Sequence, residues 1–129
     1  MKNHKVVDIK ITYEPEHMED MEAFEKKIND FLDGIKGTKQ SKILIIHGTD
    51  TMDKTAEFLE DKIKDKCIVL TGAMVPFSID FVEATANIST AIGYMLNCEK
   101  NGIYICMHGI VDIHNRVFKN REIGVFQKR

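Results

Sequence analysis

The chain has 129 residues, of which 43% are hydrophobic and 29% charged, enough to bury one core and too few for two ordinary domains. A formal net charge of -2 gives no global pull toward nucleic acid or an anionic membrane, which leaves small molecules and proteins as the expected partners. No stretch approaches the ~18 uninterrupted apolar residues of a membrane span, and the first residues lack a signal-peptide run. Cys67, Cys98 and Cys106 follow no metal or redox spacing, so a cytoplasmic location is expected.

Short β-rich runs alternate with long helical patterns. Val6 to Ile11 alternates apolar and polar residues and predicts a strand, followed by a polar connection through Glu14 and Pro15. From Met18 to Ile35, apolar Met21, Phe24, Ile28, Phe31, Leu32 and Ile35 fall three and four apart, one stripe of a helix that Gly34 and Gly37 close. Ile43 to Ile46 is an apolar strand, and the helix after it carries Met52, Ala56, Leu59 and Ile63 on one face. Cys67 to Leu70 predicts the next strand and Thr71-Gly72-Ala73-Met74-Val75-Pro76 a tight turn, since Pro76 cannot continue a helix. A third helix is expected from about Phe81 to Leu96, with Ala84, Ile88, Ala91, Ile92 and Met95 buried. Ile103 to Met107 is another apolar strand. Gly109 to Ile113 could pair with Arg116 to Phe118, and Gln127 to Arg129 reads as a polar tail. Apolar strands separated by helices imply an α/β fold of three layers, a doubly wound and mostly parallel sheet with helices on both faces, joined by right-handed crossovers.

The strand Ile43 to Ile46 runs straight into His47-Gly48-Thr49-Asp50-Thr51-Met52, where an open α/β sheet places its chemistry. A group between the carboxyl end of a strand and the amino end of a helix meets free backbone N–H groups that favour anions and developing oxyanions. Gly48 lets the backbone approach a ligand closely. A plainer reading makes Asp50 or Thr51 the N-cap of the following helix.

The His47-to-Met52 string resembles the bacterial-type asparaginase and glutaminase family, which includes the related amidase subunit of archaeal Glu-tRNA amidotransferases. Two more stretches support the resemblance. Val69 to Met74 followed by Pro76 looks like the family's Thr-Gly-Ala-Met-Arg-Pro loop, with Val75 in place of the arginine. Gly102 to Met107 looks like the family's strand before the hairpin. The resemblance runs from about Val6 to Phe126 and implies the family's N-terminal fold. It also implies a Thr-Lys-Asp triad, in which Lys119 of Arg116-Val117-Phe118-Lys119 matches the family's Val-x-Lys lysine and joins Thr49 and Asp50. A desolvated lysine beside a hydroxyl can hold or accept its proton while the carboxylate orients the amine. Taken alone, Lys119 is an ordinary surface lysine.

Gly48, Thr71, Gly72, Ala73 and Met74 would line the crevice. Where the family has an Asp-Ser pair for the substrate's carboxylate and amine, this chain has Glu14 and Pro15, so Glu14 alone would contact substrate. The family's Asp-Gly before the third helix appears as Glu83-Ala84. These 129 residues contain no Gly-Gly-Thr-Ile string, whose threonine is the family's usual nucleophile, and no C-terminal domain. The expected activity is hydrolysis of a small side-chain amide, L-asparagine to L-aspartate and ammonia, with no metal and no cofactor, water being the second substrate. The alternative is a catalytically degenerate domain that binds an amino acid or carboxylate, or a regulatory interaction protein. The missing first strand leaves a sheet edge or gap, so a homo-oligomer or a complementing chain is expected.

Two rival classes fit less well. A phosphoacceptor receiver domain would use Asp50 as acceptor and Thr71 as switch hydroxyl, but no lysine follows the last strand at Met107-His108-Gly109. A metal site from His47, His108 and His114, or from Cys106 and His108 at i and i+2, competes with simple burial and hydrogen bonding of these side chains.

Overall fold

The computed structural model describes residues 9–13, 21–75, 81–98 and 100–129, with side chains omitted for 13 and 21–25. Glu14, Pro15, Pro76 and the expected start of the first helix at Met18 lie outside the described residues. In chain order the elements are β1 (Ile9–Tyr13), α1 (Met21–Gly37), β2 (Lys42–Ile46), α2 (Met52–Lys62), β3 (Cys67–Thr71), α3 (Phe81–Asn97), β4 (Gly102–Met107), β5 (Ile110–Ile113), β6 (Val117–Asn120) and β7 (Val125–Lys128). One sheet runs in the order β1-β2-β3-β4-β5, and β6 and β7 form a separate pair. The first three pairings are parallel and β4–β5 is antiparallel. No helix among the described residues is long and apolar enough to cross a membrane.

The pleat sorts each buried strand onto two faces. Ile43 and Ile45, Ile68 and Leu70, and Ile103 and Ile105 meet α1 through Leu32 and Ile35, and α2 through Met52, Ala56 and Leu59. Leu44, Val69, Tyr104 and Cys106 meet α3 through Ala91 and Met95. Burying each such aliphatic side chain contributes about 1.5–3 kcal/mol, so neither face can be left bare.

This sorting overturns the expectation of uniformly right-handed crossovers. Every parallel step from β1 to β4 moves one strand in the same direction, yet α1 and α2 lie on one face and α3 on the other. The crossover through α3 therefore has the opposite hand to the other two. Face coverage explains it: Val117 and Phe126 of the β6–β7 pair join α1 and α2 on the isoleucine face, and only the other face remains for α3. The connections leaving β2 and β3 consequently lead to opposite faces, the kind of divergence at which open α/β sheets place their ligands.

Two further expectations are corrected. Ile110–Ile113 does not pair with the segment after it; it folds back on β4, with Met107 opposite Ile110. The two residues between, His108 at φ 53° and Gly109 at φ 81°, have the positive angles of a tight hairpin turn that matches strand twist. Val117–Asn120 pairs instead with Val125–Lys128, so Gln127 and Lys128 belong to a strand and not to a tail. Of the expected sheet edge or gap, the described residues show an edge and no gap, because β1 ends the sheet and hydrogen-bonds directly to β2, Ile11 lying opposite Leu44.

Buried polar groups fasten the ends of the elements. Lys42 donates from β2 to the Met95 carbonyl at 2.6 Å, serving a helix end that has no basic residue of its own. Lys66 donates to the Thr38 and Gln40 carbonyls at 3.0 and 2.9 Å. Where β2 and β3 end, the His47 N–H donates to the Thr71 carbonyl at 2.8 Å, and Gly72 lies so close that a Cβ there would stand 2.1 Å from the His47 carbonyl oxygen. Gly72→Ala is therefore expected to lose at least about 1–3 kcal/mol in urea denaturation, the usual cost of forcing an extra carbon into a packed position.

Candidate functional site

Thr49, Asp50 and Lys119 converge although 69 residues or more separate the lysine from the other two. Lys119 Nζ donates to Thr49 Oγ1 at 2.9 Å and to Asp50 Oδ1 at 2.6 Å. Each contact has a local cause. Thr49 and Asp50 occupy the bend between β2 and α2, while Lys119 lies in β6 opposite Phe126, whose buried ring anchors the hairpin to the core. Only 14% of the Lys119 side chain is exposed, against 80% for Asp50, so the lysine is the enclosed member and the aspartate faces solvent.

The N-cap reading does not describe this bend. Thr51 occupies the cap position of α2 and makes no side-chain capping bond. The Asp50 carboxylate is instead shared between Lys119 and Arg121, which donates to Asp50 Oδ1 at 3.0 Å and to the Asp50 carbonyl at 3.1 Å. Arg121 was not singled out from the sequence. Its signal is its position two residues after Lys119, where a strand extended past its end would bring both side chains to the same side.

The remaining predicted residues divide. Gly48 is exposed, and its carbonyl accepts from His47 Nδ1 at 2.6 Å. Thr71 is fully buried and donates its hydroxyl to the Cys106 carbonyl at 2.6 Å. Gly72 is packed on His47, and its carbonyl accepts from Asn87 Nδ2 at 2.8 Å. Ala73 and Met74 are half-buried, and the Met74 and Val75 amides donate to the Glu83 carboxylate. Glu83 lies in the first turn of α3. Glu14 lies outside the described residues.

The histidines do not gather. His47 binds the Gly48 carbonyl and Thr55 Oγ1, His108 binds Glu83, and His114 binds Glu60 of α2. Cys106 Sγ points to the Asn87 carbonyl at 3.4 Å, and burial pushes its thiol up to about 11. Among the described residues no three His, Cys, Asp or Glu side chains form a group that could hold a metal ion. Beside Thr49 lies a cavity of about 200 Å³, bounded by polar Asp53, Lys119 and Arg121 and by apolar Val117 and Phe126. It is smaller than the ~300–1,000 Å³ of drug-sized pockets and suits a ligand of few heavy atoms.

The sequence profile of the asparaginase N-terminal domain matches residues 11–125. The chain belongs to the asparaginase family. It is 40% identical over 68 residues to L-asparaginase 2 of Escherichia coli strain K12, covering 52% of this chain and 18% of the relative. It is 34% identical over 86 residues to a glutaminase-asparaginase of Acinetobacter glutaminasificans, covering 64% of this chain and 25% of the relative. The fold superposes on the thermostable L-asparaginase from Thermococcus kodakarensis with a TM-score of 0.61 and 27% identity, over 82% of this chain and 32% of that one. The matched part thus spans less than a third of each of these relatives.

Electrostatics fix the charge of one member of the cluster. The hydrogen bond from Lys119, then that from Arg121, hold the Asp50 carboxyl below the ordinary aspartate value. A depressed carboxylate contributes stability that is present above its unfolded value and lost as pH falls through the lower folded value. Asp50 is therefore expected to titrate by ¹³C NMR below ordinary aspartate, with its midpoint rising in Lys119→Met and, by a smaller amount, in Arg121→Ala.

Proposed function

We propose that the chain carries an amide-hydrolysing site in which Thr49 is the nucleophile, Lys119 moves the proton and Asp50 orients the amine. The supporting observation is the position of Lys119 Nζ, within hydrogen-bond reach of the hydroxyl and the carboxylate at once. In this reading Lys119, which rests as an ammonium donating to Thr49 and Asp50, first gives up a proton to solvent and then takes the hydroxyl proton as Thr49 Oγ attacks the amide carbon. The C–N bond then breaks, the proton passes from Lys119 to the departing nitrogen, and ammonia leaves. Water attacks the resulting ester, again giving a proton to Lys119 and returning one to Thr49. Asp50, kept ionised by Lys119 and Arg121, holds the ammonium form close to the oxygen it serves.

Family membership and the small, partly apolar cavity favour a small amino-acid amide, asparagine or glutamine, as substrate. The crevice between Gly48–Thr51 and Gly72–Val75 would admit it from the strand ends. A second copy of the chain, or a complementing chain, would supply contacts to the substrate's ammonium group. We place the protein in a reducing compartment, consistent with free, buried Cys67 and Cys106.

The test is ammonia release from L-asparagine and L-glutamine by the purified chain. The expected result is turnover that falls about a thousandfold or more in Thr49→Ala and in Lys119→Met, the scale of losing a nucleophile or its base. Equal rates in all three proteins would reject the hydrolase reading and leave a ligand-binding domain.

A further inference from the structure

His108 joins two segments distant in sequence, strand β7 and, through Glu83, the loop after β3. The Phe126 N–H donates to His108 Nδ1 at 3.1 Å, so Nδ1 is an acceptor and the ring proton sits on Nε2. That proton is donated to Glu83 Oε2 at 2.7 Å. Glu83 in turn accepts the Met74 N–H at 3.0 and 2.9 Å and the Val75 N–H at 3.1 Å. Four contacts thus run in one chain from β7 to the loop after β3.

A second route runs parallel to the first. The His108 backbone N–H donates to Asn87 Oδ1 at 3.1 Å, and Asn87 Nδ2 donates to the Gly72 carbonyl at 2.8 Å. The His108 ring also meets the Phe126 ring edge-on at 5.9 Å between centroids. The groups facing the imidazole are therefore Glu83 of α3 and the amide and ring of Phe126 on β7, while Asn87 of α3 holds the His108 backbone. Its left-handed backbone, φ 53° at the β4–β5 turn, is a conformation that asparagine also tolerates.

The partner of Phe126 gives these contacts their meaning. Phe126 lies opposite Lys119 in the β6–β7 pair. The Arg129 N–H donates to the Arg116 carbonyl at 2.9 Å, and hydrogen-bonded pairs alternate along an antiparallel ladder. The Lys119–Phe126 pair is then a non-hydrogen-bonded one, and the Phe126 N–H points out of the hairpin toward His108. The histidine is thus the outer partner of the strand pair that presents the lysine to Thr49.

We infer that His108 is a positioning residue: in its Nε2–H tautomer it clamps the hairpin carrying Lys119 to the Gly72–Val75 loop and so sets the spacing between them. The consequence for turnover rests on the hydrolase reading above; the clamp itself does not. Glu83 is suited to the task because it stays charged. Partial burial pushes its carboxyl up, but the Met74 amide, the His108 ring and the Val75 amide outweigh this and hold it below the ordinary glutamate value.

Two substitutions separate the arms. In His108→Gln the side-chain amide can still donate to Glu83, but no acceptor stands where Nδ1 was. In His108→Asn the Oδ1 atom takes the Nδ1 position and stops short of Glu83. The experiment is ¹⁵N NMR of the 129-residue chain and both variants, reading the His108 ring tautomer, amide exchange and amide shifts. The expected wild-type ring is protonated at Nε2 alone. His108→Gln should speed Phe126 amide exchange about tenfold and move the Thr49 and Lys119 signals while Met74 and Val75 keep theirs. His108→Asn should do the reverse. A ring protonated at Nδ1, Thr49 and Lys119 signals unmoved in His108→Gln, or equal disturbance at both ends in both variants would overturn the clamp. The ring tautomer decides the matter even where a variant does not fold. If the wild-type chain releases ammonia, His108→Gln lowers kcat with KM little changed. An inactive chain removes the hydrolase reading and leaves the NMR result intact.

Discussion

The enclosed ammonium group of Lys119 is the constraint to which the rest of the site answers. A cation with 14% of its side chain exposed needs partners, because burying a charge without them costs more than the chain can spare. Asp50 supplies the opposite charge and Thr49 an acceptor. Holding those partners demands a bend after β2 that does not use Thr51 as a side-chain cap, and a hairpin whose core-facing Phe126 fixes the strand opposite the lysine. Arg121 adds a second cation to the same carboxylate. The Asp50–Arg121 contact itself is largely solvated and adds little to stability, so its effect is on orientation.

The course of the loops after β2 and β3 follows from how the sheet faces are covered. With α1, α2 and the β6–β7 pair on the isoleucine face, α3 must take the other. That choice produces a crossover of unusual hand and separates the loops after β2 and β3. The same divergence that usually accompanies a reversal of strand order arises here without one. Thr71 belongs to the scaffold of this arrangement: its hydroxyl ties β3 to β4 through the Cys106 carbonyl, and the loop after it is held by Asn87 and Glu83.

Much of this was legible in the chain. Period-two and period-3.6 patterns placed the strands and helices because burial dominates both, and the His47-to-Met52 string with Val117-Phe118-Lys119 named the three side chains that meet. Other features were hidden by their long range. The partner of Ile110–Ile113 depended on reading His108-Gly109 as a two-residue turn, and apolar alternation could not choose between two neighbours. The strand at Val125–Lys128 was obscured by its polar end, since only Phe126 faces the core. Helix α3 has an apolar stripe that would suit either face, so its side was set by elements distant in sequence. The roles of Arg121 and His108 consist of contacts across 18 to 71 residues, and no local pattern encodes them.

The central claim is that the Thr49 hydroxyl, held by Lys119, attacks an amide carbon. Rapid acid quenching of the chain during incubation with L-asparagine or L-glutamine, followed by peptide mass mapping, addresses it directly. An acyl ester on Thr49 is expected to form in the unmodified chain and to be absent in Lys119→Met. Ammonia release with no ester on Thr49, or with the ester on another hydroxyl, would contradict it.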